Sequence, residues 1–273
     1  MDLTAAQTLV YLYSNIDVFM AVFVRVMGFF IILPVTTGQN LPVPVRIMLS
    51  LGVALLAFVS GAVELPPYDF SVAGFVVFLL TEFLVGFIIG LVVSVIFSIF
   101  HFVGQLVDFQ IGFGMVNVMD PFGMQQAPVT GNLYFLIASV FFVTSGAIHM
   151  VIRALFDSFS IIGLGRGQVL GNADLAGRFI NMMVDYFYLG LRMALPVVGT
   201  ILTIDIVLGI LVKAVPNMNV FVVGLPIKVL AGLVVIYFIM PFLITAFGMV
   251  MEDIVMNIVE MLWRMAPGEA QVQ

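Results

Sequence analysis

Charge is what this sequence has least of. Lys, Arg, Asp and Glu together make up 9% of its 273 residues, where an ordinary globular domain carries roughly 25%. So little charge cannot cover the surface of a soluble protein. With 63% hydrophobic residues and a mean hydropathy of +1.26, the chain reads as an integral membrane protein. Cysteine is absent, which excludes a disulfide framework and any thiolate site. The net charge of −6 leaves no basic footprint, so nucleic acid is not an expected partner. Met1-Asp2-Leu3-Thr4 has no basic n-region, and no cleaved signal peptide is expected. Catalytic constellations are missing too. His101 and His149 are far apart, and no Gly-x-Ser-x-Gly, His-Glu-x-x-His or Walker lysine motif occurs. The sequence therefore predicts neither an enzyme nor a cofactor or metal site.

What the chain does have is long, continuous apolar runs. Strands of a membrane barrel alternate apolar and polar residues; these runs do not, which predicts an all-α fold. The runs are Val18 to Val35, Ile47 to Val63, Phe70 to Val107, Leu133 to Ile152, Phe187 to Val212 and Val229 to Val250. Pro-rich or Gly-rich breaks separate them, and the last is expected to be broken by Pro241. Arg25, Glu82, Arg192 and Asp205 lie inside runs. A charge at the bilayer centre costs roughly 2.5–3.5 kcal/mol on insertion scales, so these side chains are expected to be buried against protein. Asp205, with Lys213 two turns further on, is a candidate for a proton relay, and the competing reading is a structural salt bridge with a partner. With only nine Lys and Arg, loop charge does not set an orientation.

Glu82, Gly86, Gly90, Ser94 and Ser98 recur at four-residue intervals, and His101, Gln105 and Asp108 extend the row. All share one helix face. Small residues at this spacing admit a second helix at close range; the competing reading is a polar, pore-facing or proton-conducting face. The segment 112–128 is rich in glycine, methionine and phenylalanine, with Gly112, Phe113, Gly114, Met115, Met119, Pro121, Phe122 and Met124 as its marked residues. Irregular backbone at membrane depth survives only under protein or around a water cavity, so a deformable plug or gasket is expected there. The Gly-rich stretch 163–178 reads as a linker, and 266–273 as a disordered tail. From Met251 to Met265, Asp253, Asn257, Glu260 and Arg264 oppose Ile254, Ile258 and Leu262, the pattern of an amphipathic helix that is interfacial or partner-bound.

Several phrases in order resemble the FliR family of flagellar type III export-gate proteins, homologous to the injectisome SctT family. They are Arg25; Leu41-Pro42-Val43-Pro44-Val45-Arg46; Glu82-Phe83-Leu84-Val85-Gly86; Gly104 to Gly112; Asp120-Pro121; Gly146-Ala147-Ile148-His149; and Val215 to Lys228. The last phrase is the most specific, carrying Pro216, Asn217, Asn219, Phe221, Gly224, Pro226 and Lys228. Asn217 departs from the glutamine expected there. The resemblance covers nearly the whole chain and implies one membrane domain over 1–273, its helical part 17–265, built of broken helical hairpins in a hetero-oligomeric gate. It implies FliP-like and FliQ-like partners, FlhB-like and FlhA-like export proteins, unfolded flagellar substrates and surrounding lipid. It also implies a multi-pass place in the bacterial inner membrane at the flagellar basal body, with a plug loop at 112–128. The alternative from another class is a secondary transporter or ion channel, which broken helices and buried acids also suit.

Overall fold

The computed structural model describes residues 15–37, 41–60, 71–113, 128–169, 172–215 and 219–267. Within them every regular element is helical: α1 (Ile16–Ile32), α2 (Pro34–Thr37), α3 (Val43–Val59), α4 (Val72–Ile111), α5 (Val129–Thr144), α6 (Ala147–Ile161), α7 (Ala173–Ala214) and α8 (Val220–Met265). Three of these, α4, α7 and α8, are long and apolar enough to cross a membrane, and α5 with α6 make a fourth if that bent pair is one span. The 40 residues of α4 rise about 60 Å, twice the roughly 30 Å hydrocarbon core. About half of such a helix must therefore lie outside the hydrocarbon.

Two breaks differ from the sequence expectation. The run Leu133 to Ile152 is not one helix: α5 ends and α6 starts at Gly146, with a 67° bend between them. Gly146 has φ 79°, a left-handed conformation that glycine adopts without steric cost, and that geometry stops the helix. Conversely, Pro241 does not break its run. α8 continues through Pro226 and Pro241, and α7 through Pro196. Each proline removes one backbone donor, and membrane helices tolerate the loss where neighbouring hydroxyls and packing compensate.

The chain divides into two units, and α4, α7 and α8 each contribute a segment to both. The first comprises residues 1–95, 146–181 and 252–273. Its centre is the meeting of α1 with the first half of α4. A Cβ on Gly28 would stand 2.5 Å from the Phe83 carbonyl oxygen, and one on Gly90 would stand 2.7 Å from that of Phe29. A Cβ on Gly86 would overlap the Arg25 carbonyl outright. α3 lies against α1, with Phe19 and Phe58 edge to face at 5.7 Å. The polar row of the C-terminal helix, expected to face an interface or a partner, is engaged inside this unit. Arg178 near the start of α7 pairs with Glu260 at 2.8 Å and bonds Asn257 at 3.0 Å. Arg264 pairs with both Asp174 and Glu260. The stretch expected as a linker is helical from Ala173, where Asn172 caps α7 by accepting from Leu175 N–H at 3.0 Å.

The second unit comprises residues 96–145 and 182–251. Here the lower half of α4 meets α5 and α8 through aromatic rings. Phe97 stands edge-on to Phe135 and Phe142 at 5.9 and 5.2 Å, and Phe100 meets Phe247 at 4.5 Å. Gly104 lies directly on the backbone of Thr130 and Gly131.

The glycine contacts make a test. A methyl group at Gly86 has no room, because what it meets is backbone rather than a flexible side chain, whereas one at Gly177 meets nothing within 4 Å. Gly86→Ala is expected to cost about 1–3 kcal/mol as overpacking, while Gly177→Ala, in a helix, is neutral or stabilising. Thermal aggregation of the detergent-solubilised protein checks this. Equal midpoints for the two variants would mean that α1 and α4 are not held at backbone contact.

Candidate functional site

Among the described residues, the most polar interior point lies where α1, α4 and the end of α6 converge. Arg25 comes from the middle of α1 and Glu82 from the upper half of α4, and both side chains are 0% exposed. Arg25 Nε donates to Glu82 Oε2 at 2.6 Å. Its Nη1 donates to Ser158, to the carbonyl at 2.9 Å and to Oγ at 3.2 Å. Its Nη2 donates to the Gly163 carbonyl at 2.7 Å. The guanidinium also covers the Phe159 ring, 4.5 Å from its centroid, a cation–π contact. The second carboxylate oxygen, Glu82 Oε1, accepts from Gly165 N–H at 2.6 Å. Gly163 and Gly165 both have positive φ, 71° and 70°, so glycine is what lets the chain leave α6 with its carbonyl and amide aimed at the ion pair.

Every charge in this cluster is spent inside it. An arginine whose nitrogens meet a carboxylate and two carbonyls, and a carboxylate with both oxygens bonded, form a clamp rather than a proton-transfer pair. The Gly163-x-Gly165 stretch, expected as part of a linker, is thereby one of the clamp's jaws. Nothing in the sequence pointed to Ser158 or to the two backbone groups. The charges of Arg25 and Glu82 within apolar runs marked each as a buried polar position, without saying that the two pair.

The remaining marked residues separate. Of the small-residue row, Gly86 and Gly90 face α1, Ser94 is half-buried and Ser98 is exposed. Of its extension, His101 stacks on Phe135 at 4.5 Å, Gln105 is exposed and Asp108 is buried. Both carboxylate oxygens of Asp108 accept from Thr130 N–H, at 3.1 and 3.0 Å, satisfying a donor in the first turn of α5. Asp205 does not pair with Lys213, on its own helix; it pairs with Lys228 of α8. Arg192, expected to be buried, is exposed on α7. Gly112 and Phe113 end the described part of α4, with Gly112 at φ 97°. Gly114, Met115, Met119, Pro121, Phe122 and Met124 lie outside the described residues, as do Pro216 and Asn217. Asn219 precedes α8, Phe221, Pro226 and Lys228 lie on its first turns, and Gly224 is buried there. Among the described residues no group of His, Cys, Asp and Glu is placed to hold a metal ion.

The arrangement is that of a packed membrane scaffold, and comparison with known proteins gives it a family. Residues 16–254 match the bacterial export proteins, family 1. The chain belongs to that family. It is 29% identical over 227 residues to the flagellar biosynthetic protein FliR of Bacillus subtilis (strain 168), covering 82% of this chain and 87% of the relative. It is 25% identical over 219 residues to FliR of Escherichia coli (strain K12), covering 80% and 82%. It is also 27% identical over 229 residues to the surface presentation of antigens protein SpaR of Shigella flexneri, covering 82% and 87%. The clamp of Arg25 and Glu82, the α1–α4 glycine contacts and the Asp108 cap all lie within the stretch matched to the export family.

Removing one partner of a fully buried pair leaves an uncompensated charge, which costs about 3–5 kcal/mol. Arg25→Met is therefore expected to lower stability by about that much. The double variant Arg25→Met with Glu82→Leu should be markedly more stable than Arg25→Met alone, since no buried charge remains. Denaturant or thermal unfolding in one detergent would report the order. Strictly additive losses would mean that the two side chains do not share one energetic unit.

Proposed function

We propose that this chain is a structural, non-catalytic subunit of a flagellar type III protein export gate in the bacterial inner membrane. In this reading it assembles with FliP-like and FliQ-like subunits at the basal body, beside FlhB-like and FlhA-like proteins, and helps pass unfolded flagellar proteins across the membrane. The observation that carries the reading is similarity to proteins named flagellar biosynthetic protein FliR over more than four-fifths of this chain and of theirs. Physical support comes from surface chemistry. Only 17% of the apolar window of α7 and 22% of that of α8 is buried, against 56% for α4. Helices this long, with outward apolar faces that continue beyond a single bilayer's thickness, suit neighbours made of protein as well as lipid.

The reading is tested by gentle solubilisation of membranes containing the tagged, full-length chain. FliP-like and FliQ-like subunits are expected to co-purify with it, and loss of the chain should abolish flagellar secretion and motility. A chain that purifies alone, moves a small solute and leaves motility intact when deleted would instead be a transporter.

Within this function, 112–128 is proposed as the seal, on its sequence alone. Methionine adapts to irregular gaps, and glycine supplies backbone freedom. Deleting part of Gly114 to Met124 is expected to leave the complex assembled but leaky to ions, read as raised conductance or sensitivity to external solutes. A tight, secretion-competent deletion would overturn the seal.

A further inference from the structure

The connection between α6 and α7 is fastened to two separate parts of the first unit. Its near end is fixed to the buried ion pair. The Gly163 carbonyl accepts from Arg25 Nη2 at 2.7 Å, and Gly165 N–H donates to Glu82 Oε1 at 2.6 Å. Ile162 and Leu164 are buried beside them. Two residues on, a Cβ at Gly167 would stand 2.7 Å from Val85 Cγ2 and 3.4 Å from Thr81 Cγ2. The backbone therefore lies directly on the turn of α4 that carries Glu82.

The far end of the connection is fixed to the C-terminus of α8. A helix leaves its last four carbonyls without intrahelical partners. Here those belong to Leu262, Trp263, Arg264 and Met265. Leu262 and Met265 are fully buried, and a buried carbonyl needs a donor. The first two accept from Ala266 N–H at 3.0 and 3.3 Å. The last two accept from the connection: the Arg264 carbonyl from Asn172 Nδ2 at 2.9 Å, and the Met265 carbonyl from Gln168 N–H at 2.9 Å. Asn172 Nδ2 also donates to the Gln168 carbonyl at 3.1 Å, while its Oδ1 caps α7.

The three residues from Gly165 to Gln168 span at most about 11 Å of extended chain. So short a tether leaves little slack between the two attachments. We propose that residues 163–169 form a strap with the Arg25–Glu82 pair as its catch, so that the ion pair and the last turn of α8 open as one cooperative unit. Docking of the end of α8 is thereby conditional on the pairing of α1 with α4. Such coupling is reciprocal: freeing the end of α8 loosens the strap at Gly165 by the same factor. It operates within this chain and does not depend on the export reading.

Amide hydrogen exchange of the full-length protein in detergent, read at residues 163–167 and 262–266, tests this, with α3 as the comparison. Glu82→Gln keeps the side chain's shape but offers Arg25 Nε and Gly165 N–H one acceptor atom in place of two. Asn172→Asp keeps an oxygen that can cap α7 and removes the donor to the Arg264 carbonyl. Glu82→Gln is expected to speed exchange at 262–266 roughly tenfold, and Asn172→Asp to do the same at 163–167, with α3 unchanged in both. In the double variant the two factors should not multiply, because a strap already released cannot be released again. Exchange that rises only at the altered end would overturn the proposal. So would an equal rise in α3, or factors that multiply. If Glu82→Gln does not fold, Asn172→Asp decides alone: exchange at 163–167 rises, or the strap does not couple the two sites.

Discussion

The buried pair of Arg25 and Glu82 constrains the first unit more tightly than any other contact. A single ionised group with no exposure in an apolar interior is too costly to keep, so each residue requires the other. The requirement is directional. Arg25 also needs the Ser158 and Gly163 carbonyls, and Glu82 also needs the Gly165 amide. Only one arrangement of α1, α4 and the chain after α6 provides all of these. Apolar burial cannot give that uniqueness in a membrane, because lipid tails are as apolar as the facing side chains. Gly86 follows Glu82 by one turn and rests on the Arg25 carbonyl. Ion pair and glycine contact are therefore one interface: the small residue brings the backbones close enough for the charges to meet, and the charges fix which small residues are opposed.

The same device recurs lower on α4. Gly104 permits the approach of α5, and Asp108, one turn later, accepts from Thr130 N–H. In both places a carboxylate on α4 satisfies a backbone donor where another segment is not in mid-helix: the turn after α6 in one case, the start of α5 in the other. Membrane-embedded backbone has no water to turn to, so acids at these points have a structural task. The reading of the α4 row as a proton-conducting face loses ground for that reason. Its two acids are already committed to backbone donors, and Ser98 and Gln105 lie on the exposed side.

The helical class and the rough position of each span were legible because continuous apolar runs leave few alternatives. Helix ends were less so. Gly146 carries no stronger local signal than the glycines inside α4, yet it alone of these takes a left-handed φ and ends a helix. Prolines misled in the other direction: α7 and α8 run on through Pro196, Pro226 and Pro241, because losing one backbone donor does not by itself end a membrane helix. Arg25 and Glu82 stood out as charges in apolar runs, but Gly163 and Gly165 act through backbone atoms, which have no sequence signature. Asp205 shows the limit of reasoning along one helix. Its nearest lysine in sequence, Lys213, is exposed, whereas Lys228, on the next helix, is the one that reaches it.

Charges satisfied within the chain and charges left outside it separate into two sets. Arg25, Glu82, Asp108, Asp205 and Lys228 close on partners of this polypeptide, and they sit where its own helices meet. Asp185 and Arg192 are exposed on α7 and form no ion pair among the described residues. The first set is what folding needs. The second set ties no two helices of the chain together, and a helix of 42 residues is long enough to hold such charges outside the hydrocarbon core. Paired charge therefore marks the points at which the fold depends on polar contact as well as on apolar packing.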